Sequence, residues 1–214
     1  MPHETEPSTS PARNRILDAA DRLFYLNGIN ATGIDAVIDS AQVARMTFYK
    51  HFGGKEGLIL AYLDGRDVRW RATLERALEA AGDDPSARLL AVFDALRTWA
   101  TSESRFRGCS FANAMAELAD PGHPARELVT SRKKALRDRM LGLARATGAA
   151  DPVLLVDRLL FVYEGVIANH ALGNVTDAMD KAHATARLLI DDATLSADGD
   201  GEPAAPGLPL PDSA

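Results

Sequence analysis

The stretch TFYKHFGGKEGL, residues 47–58, decides how the N-terminal part of the chain folds. Its first half has the pattern of a short helix that runs from about Ala44 to Phe52, and Gly53-Gly54 then breaks the chain. Phe48 and Phe52 are four residues apart, so they share one helix face and are expected to pack inward. A second helical pattern begins at Lys55. The stretch therefore predicts a short, one-sidedly anchored helix followed at once by another helix.

Two further helices are predicted upstream of this stretch. The first begins at Ser10-Pro11, a cap followed by proline at the first helical position, and ends at Asn27-Gly28. The second has Thr32 as its cap and runs to about Ser40, which leaves a short turn at residues 41–43. The small core that these helices share is expected to contain Leu23, Phe24, Val37, Ile38, Ala41 and Val43. This arrangement is a helix-turn-helix, although the pattern alone suits a structural cap equally well.

The rest of the chain repeats helical patterns with clear start and stop signals, and it shows no strand-like alternation. The expected fold is all-α, with about nine helices: a three-helix N-terminal domain that a long helix joins to a larger helical domain. The helices after the third are expected at Lys55–Ala81, from Pro85 after Asp84, at Ser110–Ala119, at Pro124–Thr147, at Pro152–Leu172 and from a cap at Asn174 to about Asp191.

Composition and charge narrow the class of protein. The net charge is −6, but residues 191–214 contain six acidic and no basic residues and residues 1–10 contain two acidic residues, so the part between them has a net charge of +2. Residues 1–10 and 193–214 are predicted to be disordered tails. The single cysteine, Cys109, excludes an internal disulfide bond. No apolar run approaches the roughly 20 residues of a membrane helix, and the N-terminus has no signal-peptide pattern, so we expect a cytoplasmic protein.

The N-terminal residues closely resemble the DNA-binding signature of the TetR family of transcriptional regulators over residues 13–60. The residues that carry the resemblance are RILDAA at 15–20, Leu23, Phe24, Gly28, Thr32, Ile34, Ile38, Ala41, Val43 and TFYKHFGGKEGL at 47–58. The resemblance implies a homodimer that binds a near-palindromic double-stranded DNA operator and is released by a small-molecule effector. It divides the chain into a DNA-binding domain at 11–56 and an effector-binding and dimerisation domain at 57–192.

The resemblance also assigns roles to six side chains around the third helix. Arg45, Met46 and Thr47 are expected at base edges, where Arg donates two hydrogen bonds to guanine and Thr and Met contact a thymine methyl group. The side chains expected at phosphates are Tyr49, His51 and Lys55.

This sequence departs from the usual family pattern at three positions. Gln42 stands where the family usually has Gly, so we expect the turn to be accommodated differently. Ala44 stands at the cap that is usually Ser, and it has no side-chain acceptor. Met46 replaces a common Gly. These differences bear on operator specificity.

The last two helices are expected to form the dimer interface. The eighth helix is apolar around most of its circumference, which indicates burial on several sides. The ninth carries a narrower stripe of Ala178, Ala182, Leu189 and Ile190. TetR-like proteins pair these two helices with those of a partner subunit; an ordinary monomeric core is the alternative.

Residues 106–117 resemble, less closely, a stretch found at the sixth helix in one group of TetR-family members. In this family, that helix commonly lies between the effector pocket and the DNA-binding domain. The candidate effector-binding residues are Trp99, Phe111, Asn113, Met115, Phe161, Tyr163, Asn169 and His170, with Trp70 as a further aromatic. Each one alone is better explained as core filler. As a group they predict a largely apolar effector with a few hydrogen bonds.

Catalysis and metal binding find no support in the sequence. Cys109 has no partner at a spacing typical of a nucleophile and base, and the histidines lack metal-ligand spacing. We therefore expect no enzyme, no metal and no cofactor. The basic run at residues 132–139 has the pattern of a solvated helix face, although Arg132 or Arg137 could reach a pocket or interface. The alternative function is a helical ligand-binding or interaction protein that keeps the N-terminal fold without recognising an operator.

Overall fold

The computed structural model describes residues 10–103 and 105–198, with side chains up to residue 195. Within these residues the chain is all-helical and forms nine helices. They are α1 (Pro11–Asn27), α2 (Ile34–Ala41), α3 (Arg45–Phe52), α4 (Lys55–Ala80), α5 (Pro85–Ser102), α6 (Ser110–Glu117), α7 (Pro124–Ala146), α8 (Pro152–Leu172) and α9 (Ala178–Asp198). The predicted fold class is confirmed.

Proline after a polar residue marks the starts of four helices correctly, namely α1, α5, α7 and α8. The carboxylate of Asp84 accepts a hydrogen bond from the Ala87 amide at the start of α5, at 2.7 Å. Asp151 caps α8 in the same way, by accepting from the amides of Val153 and Leu154. These side chains satisfy amides that have no partner in the first turn of a helix.

The predicted caps at Thr32 and Asn174 are wrong. Helix α2 begins later, after Gly33, and no side chain caps it. Thr32 is 3% exposed, and its hydroxyl donates to the Gly28 carbonyl at 2.7 Å, so it fastens the connection between α1 and α2. Helix α9 begins only after Asp177, whose φ of 53° is left-handed and therefore cannot belong to a right-handed helix.

The predicted C-terminal tail is wrong at its start, because α9 continues to Asp198. The Ala193 carbonyl accepts a hydrogen bond from the Ala150 amide at 3.2 Å, and Ala193 packs against the core of the larger domain. This contact stabilises the additional turn at the end of α9. The remaining parts of the two predicted tails, residues 1–9 and 199–214, lie outside the described residues.

Two apolar cores organise the molecule. We call the N-terminal domain, α1 to α3, the head and the larger helical domain the body. The head core contains Phe24, Phe48 and Leu58 together with Ala114 and Val129 from α6 and α7. The body core is built from α4, α5, α7, α8 and α9. Helix α4 enters both cores, with Leu58–Leu63 in the head core and Leu74–Leu78 in the body core. The predicted role of α4 as the connecting strut follows from this double burial.

The close approach of α3 and α4 requires glycine at residue 57. A Cβ atom at Gly57 would lie 2.1 Å from the Phe52 carbonyl oxygen, far inside van der Waals contact. The second glycine of α4, Gly65, has much more room, because its Cβ would meet only the Arg69 guanidinium at 3.8 Å.

We predict that Gly57→Ala lowers the free energy of unfolding by about 1–3 kcal/mol, since the α3–α4 turn must open. Gly65→Ala is the matched control, and it should raise stability by up to about 1 kcal/mol because alanine is the better helix former. Urea denaturation measures both changes. Equal stability of the two variants would contradict the steric argument.

Candidate nucleic-acid interface and ligand cavity

Helix α3 is held by one face and presents the other to solvent. Phe48 and Phe52 are 0% and 9% exposed, and both lie in the head core as predicted. On the opposite side Met46 is 77% exposed, and Arg45 and Tyr49 are also exposed. The remaining three candidate DNA-contacting residues, Thr47, His51 and Lys55, are half-buried. The predicted set thus lies around the outward side of one short helix and the start of the next.

The turn before α3 has a left-handed residue, Gln42. Gln42 adopts φ 52° and ψ 54°, a conformation that glycine enters without strain. A residue with a Cβ atom is strained there, and the difference from the usual glycine turn of the family stays a prediction. Ala44 precedes α3 without a side-chain cap, as expected. The first amides of α3 thus have no side-chain acceptor at the cap position.

Two arginines of α1 fix the orientation of the short helices. The Arg15 Nε atom donates to the Ala41 carbonyl at the end of α2, at 3.2 Å. The Arg22 guanidinium donates to the Ser40 hydroxyl at 2.7 Å. A third arginine, Arg13, lies over the Phe52 ring with its central carbon 5.4 Å from the ring centroid. These contacts tie both ends of the helix-turn-helix to α1.

Two cationic groups stand out on this outward surface. The Arg45 guanidinium forms an ion pair with Asp35 of α2, and both side chains are mostly exposed. An exposed pair of this kind contributes little stability, so Arg45 is easily released. Lys55 is the first residue of the 26-residue helix α4, which no side chain caps. The free amides and the dipole of a helix N-terminus attract anions.

A cavity of about 220 Å³ lies in the larger domain between α4, α5, α7 and α8, next to the segment that leads into α6. Three aromatic side chains form much of its apolar wall. Trp70 makes edge-to-face contacts with Trp99 and Tyr163, at ring-centroid distances of 6.0 and 6.2 Å. The chain has two tryptophans, and both of them line this cavity.

The predicted effector-binding residues divide between this cavity and other places. Trp99, Phe111 and Tyr163 line the cavity. His170 lies behind it, with its ring 5.3 Å from that of the lining residue Phe106. Asn113 lines a separate recess of about 170 Å³ between α1 and α6.

The other three predicted residues do not reach the cavity. Met115 packs against the head core. The Asn169 amide donates to the Gly165 carbonyl of its own helix at 2.7 Å. Phe161 is 78% exposed on the outside of α8. Because α8 has apolar residues around most of its circumference, the sequence pattern does not show which of them face inward.

Charged residues also line the cavity, and the sequence analysis largely missed them. They are Arg66, Asp67, Arg71, Glu75, Arg132, Lys133 and Arg139. Of these, only Arg132 was considered as a pocket residue. Arg137 pairs instead with Asp157 at 2.7 Å. One sequence signal could have indicated two of these cavity residues. Arg132 and Arg139 are seven residues apart, and this spacing places both of them on one face of α7.

Arg66 is a buried cation where α4 meets α1 and the end of α5. It is 2% exposed, and its guanidinium pairs with Asp21 of α1 and with Glu103. The guanidinium carbon also lies 4.0 Å from the Tyr25 ring centroid and 5.2 Å from that of Trp99. Burial acts to lower the pKa of Arg66, but Asp21, Tyr62 and Glu103 raise the pKa overall. Arg66 therefore stays charged.

The segment before α6 is latched to the head through Tyr25. The Tyr25 hydroxyl donates to the Gly108 carbonyl at 3.0 Å and accepts from the Arg107 amide at 2.8 Å. Burial raises the pKa of Tyr25, so the hydroxyl remains a donor at neutral pH. At the other end of α6, Glu117 accepts from the Asn30 amide at 2.7 Å. One short segment thus borders the cavity and grips the head.

The outer faces of α8 and α9 expose large apolar side chains. Phe161 and Leu172 of α8 are 78% and 75% exposed, and Leu154 lies on the same face, seven residues before Phe161. Leu188 and Leu195 of α9 are 69% and 71% exposed and are also seven residues apart. Large exposed apolar residues that recur on one face of a helix are typical of an interaction surface.

Two kinds of site are absent from the described residues. Residues 10–103 and 105–198 contain no cluster of three or more His, Cys, Asp or Glu side chains arranged to hold a metal ion. None of the helices in these ranges combines the length and the apolar character that crossing a membrane requires.

Comparisons with known proteins agree with this geometry. Residues 16–62 match the family model for bacterial regulatory proteins of the tetR family. The chain is 34% identical to SCO4454, a TetR-family transcriptional regulator from Streptomyces coelicolor, with a TM-score of 0.79 over 86% of this chain and 97% of that one. It is 26% identical to the HTH-type transcriptional regulator YjdC of Escherichia coli over 83% of this chain and 93% of YjdC. A TetR-family regulator from Cytophaga hutchinsonii, 17% identical, has the same fold, with a TM-score of 0.76 over 89% of this chain and 98% of that one.

We predict that Tyr25→Phe lowers the free energy of unfolding by about 1–3 kcal/mol, because the Arg107 amide and the Gly108 carbonyl lose their shared partner. Tyr49→Phe is the matched control, since its exposed hydroxyl forms no hydrogen bond to another described residue; it should stay within about 0.5 kcal/mol of the unmodified chain. Urea denaturation distinguishes the two. A Tyr25→Phe variant as stable as the control would show that the latch contributes nothing.

Proposed function

Since this chain belongs to the TetR family of transcriptional regulators, we propose that it is a ligand-responsive repressor that binds a near-palindromic operator as a homodimer. A small effector with a largely apolar body releases it. The relatives are DNA-binding regulators, so the chain is not an enzyme. The observation that carries the proposal is the outward face of α3, with Arg45, Met46 and Tyr49 exposed above a buried Phe48 and Phe52.

The geometry of α3 supports a division of labour at the DNA. A helix anchored by one face can enter a major groove about 12 Å wide with its other face. Arg45, Met46 and Thr47, at the start of α3, meet base edges. Tyr49, His51 and Lys55 bind phosphates and fix the register. Arg45 exchanges Asp35 for a base or phosphate when DNA arrives, because the ion pair is exposed and weak.

Dimerisation is proposed through α8 and α9. Leu154, Phe161 and Leu172 are exposed on α8, Leu188 and Leu195 are exposed on α9, and these two helices pack on each other. Pairing with the same surface of a second copy buries all of them in an isologous interface. The resulting dimer has two heads, and these must reach successive major grooves about 34–36 Å apart.

Release of the operator is proposed to pass through α4 and the segment before α6. Helix α4 lines the cavity with Trp70 and starts at the DNA contact Lys55. Gly108 and Phe111 border the cavity, while Arg107 holds the head through Tyr25. An effector that binds the released arrangement more tightly shifts α4 and with it the spacing of the two heads. Only such a difference in affinity can drive the change.

We predict distinct effects for two substitutions at the DNA surface. Lys55→Ala should weaken binding to all duplexes alike and reduce the slope of log affinity against log salt by about 1, because one phosphate contact is lost. Arg45→Ala should also relax base preference by about 1–3 kcal/mol at one position of the operator. Salt-titrated fluorescence anisotropy, on duplexes first selected from random DNA, measures both.

The exposed Lys134→Gln change on α7 is the control, and it should leave the affinity and the salt slope unaltered. Unchanged DNA binding by Lys55→Ala would refute the phosphate contact. If the unmodified dimer ignores every duplex at low salt, the alternative holds: a ligand-binding or interaction protein that keeps the head without operator recognition.

We predict that Phe161→Asp shifts the protein from dimer to monomer at micromolar concentration, because a charge is placed in the centre of the proposed interface. Val68→Asp is the control, since Val68 is an exposed apolar residue of α4 outside this surface. Analytical ultracentrifugation gives the mass of each. A Phe161→Asp dimer as stable as that of the control would move the interface elsewhere.

A further inference from the structure

We propose that the effector is a small carboxylic acid, whose apolar body lies among the aromatic residues of the cavity and whose carboxylate is bound by Arg71 and Arg132. This inference rests on the proposed function, because it assigns a chemical class to the ligand of that same cavity. It adds one requirement to the largely apolar effector proposed above, namely a negative charge at one end.

The first support is the charge of the cavity wall. Five cationic side chains line it, Arg66, Arg71, Arg132, Lys133 and Arg139, together with the carboxylates of Asp67 and Glu75. Four carboxylates outside the lining, Asp21, Glu103, Asp64 and Glu164, pair with three of these cations. A neutral ligand makes no use of the donors that these pairs leave free. An anion in this position gains attraction from several cations at once, and the attraction is stronger where water is partly excluded.

The second support is unused hydrogen-bonding capacity. The buried Nε atom of Arg66 has no hydrogen-bond partner among the described residues. The Arg132 Nε atom makes no hydrogen bond either, although it lies 3.3 Å from Asp67 in an ion pair. Arg66 is 2% exposed. A buried donor without an acceptor is costly, and native proteins rarely keep one without a reason. A ligand acceptor supplies such a reason, and a carboxylate matches the fork of a guanidinium with two oxygens.

The third support is a carboxylate that already occupies part of this cluster. Asp67, 3% exposed, accepts a hydrogen bond from the Arg71 Nε atom at 2.8 Å, and its other close cation is the Arg132 Nε atom at 3.3 Å. Arg71 makes no other hydrogen bond to a described residue, so its two terminal nitrogens remain free. The pair of arginines is thus already held at carboxylate-binding distance, with donors left for a second acid.

The apolar half of the ligand is set by the rest of the wall. Trp70, Trp99 and Tyr163 form an edge-to-face cluster on one side, and the volume of about 220 Å³ limits the ligand to a small molecule. Aromatic faces and edges favour an aryl or alkyl body without further polar groups. The class is therefore an aryl- or alkyl-carboxylic acid with one acidic end.

An acid in this cavity acts on the head through Arg66. The Arg66 guanidinium is shared between Asp21 of α1 and Glu103, and Arg66 also lines the cavity. A ligand carboxylate held by Arg71 and Arg132 adds a negative charge on the cavity side of Arg66, and this charge competes with Asp21 for the attraction of the Arg66 guanidinium. The charge of the effector thus weakens an ion pair between α4 and the head, which a neutral ligand leaves intact.

The test compares each acid with its uncharged amide on the purified full-length protein at pH 7. The probes are 4-phenylbutyrate against 4-phenylbutanamide and octanoate against octanamide, and binding is followed by the fluorescence of the two tryptophans. We expect at least one acid to bind on the order of tenfold more tightly than its amide. Equal or tighter binding of both amides overturns the proposal, and so does the failure of both acids to bind below about 10 mM.

Variants identify the carboxylate site. Arg132→Gln and the more exposed Arg71→Gln should each remove most of the preference for the acid and leave amide binding unchanged. Lys134→Gln is the control; it removes the same charge from a side chain of α7 that is 72% exposed and pairs with Asp138. A loss of acid binding in Lys134→Gln as large as in Arg132→Gln would assign the preference to net charge alone and overturn the site.

Measuring operator affinity in the same samples separates this inference from the proposed function. If an acid binds and operator affinity falls, both stand. If an acid binds with the expected preference and operator affinity is unchanged, the carboxylate site stands and the effector-controlled repressor fails. If only the amides bind and release the operator, the repressor stands and the acid class fails.

Discussion

The burial of one helix in two separate cores is the constraint on which the rest of the structure depends. Helix α4 contributes Leu58 and Leu63 to the head core, and it contributes Leu74 and Leu78 to the body core. Each end is fixed by apolar packing, which resists small sliding motions because protein interiors are closely packed. A shift of α4 at the body end therefore displaces its other end as a rigid rod. Head and body are mechanically one object, although they have different cores.

Polar contacts supplement this apolar link and lie on both sides of it. Arg66 joins α4 to Asp21 of α1, and Tyr25 joins α1 to the segment before α6. These polar contacts contribute less stability than the apolar burial of α4, but they lie in a different place. They lie between the cavity and the head, so a ligand reaches them without disturbing either core. Such contacts suit a two-state change, because a buried group that loses one partner is costly until it finds another, and this favours two discrete arrangements.

The sequence predicted the fold and the outward face of α3, because Phe48, Phe52 and the glycines after them carry local signals. It did not predict the charged part of the cavity. Arg66 and Arg132 lie in helices whose polar residues look solvated, and their burial results from α1, α4 and α7 packing together, which no local pattern reveals. Leu195 was assigned to a tail for a similar reason: the contact that orders it, Ala150 with Ala193, joins residues 43 positions apart. Local signals therefore predicted which segments are helical, although the caps at Thr32 and Asn174 were wrong, while long-range packing could not be predicted from them.

The exposed pair of Arg45 and Asp35 has a consequence for the search along a genome. If Arg45 were unpaired, its full positive charge would attract the phosphates of any duplex, and the protein would stay bound longer to every sequence. Here Asp35 neutralises that charge until a strong acceptor replaces it. A duplex without such an acceptor meets a nearly neutral helix tip, with a carboxylate close to its own anionic strands. In the proposed complex, this internal counter-ion is therefore expected to shorten the time on other sequences and to leave long residence times to the sites where Arg45 finds a better partner.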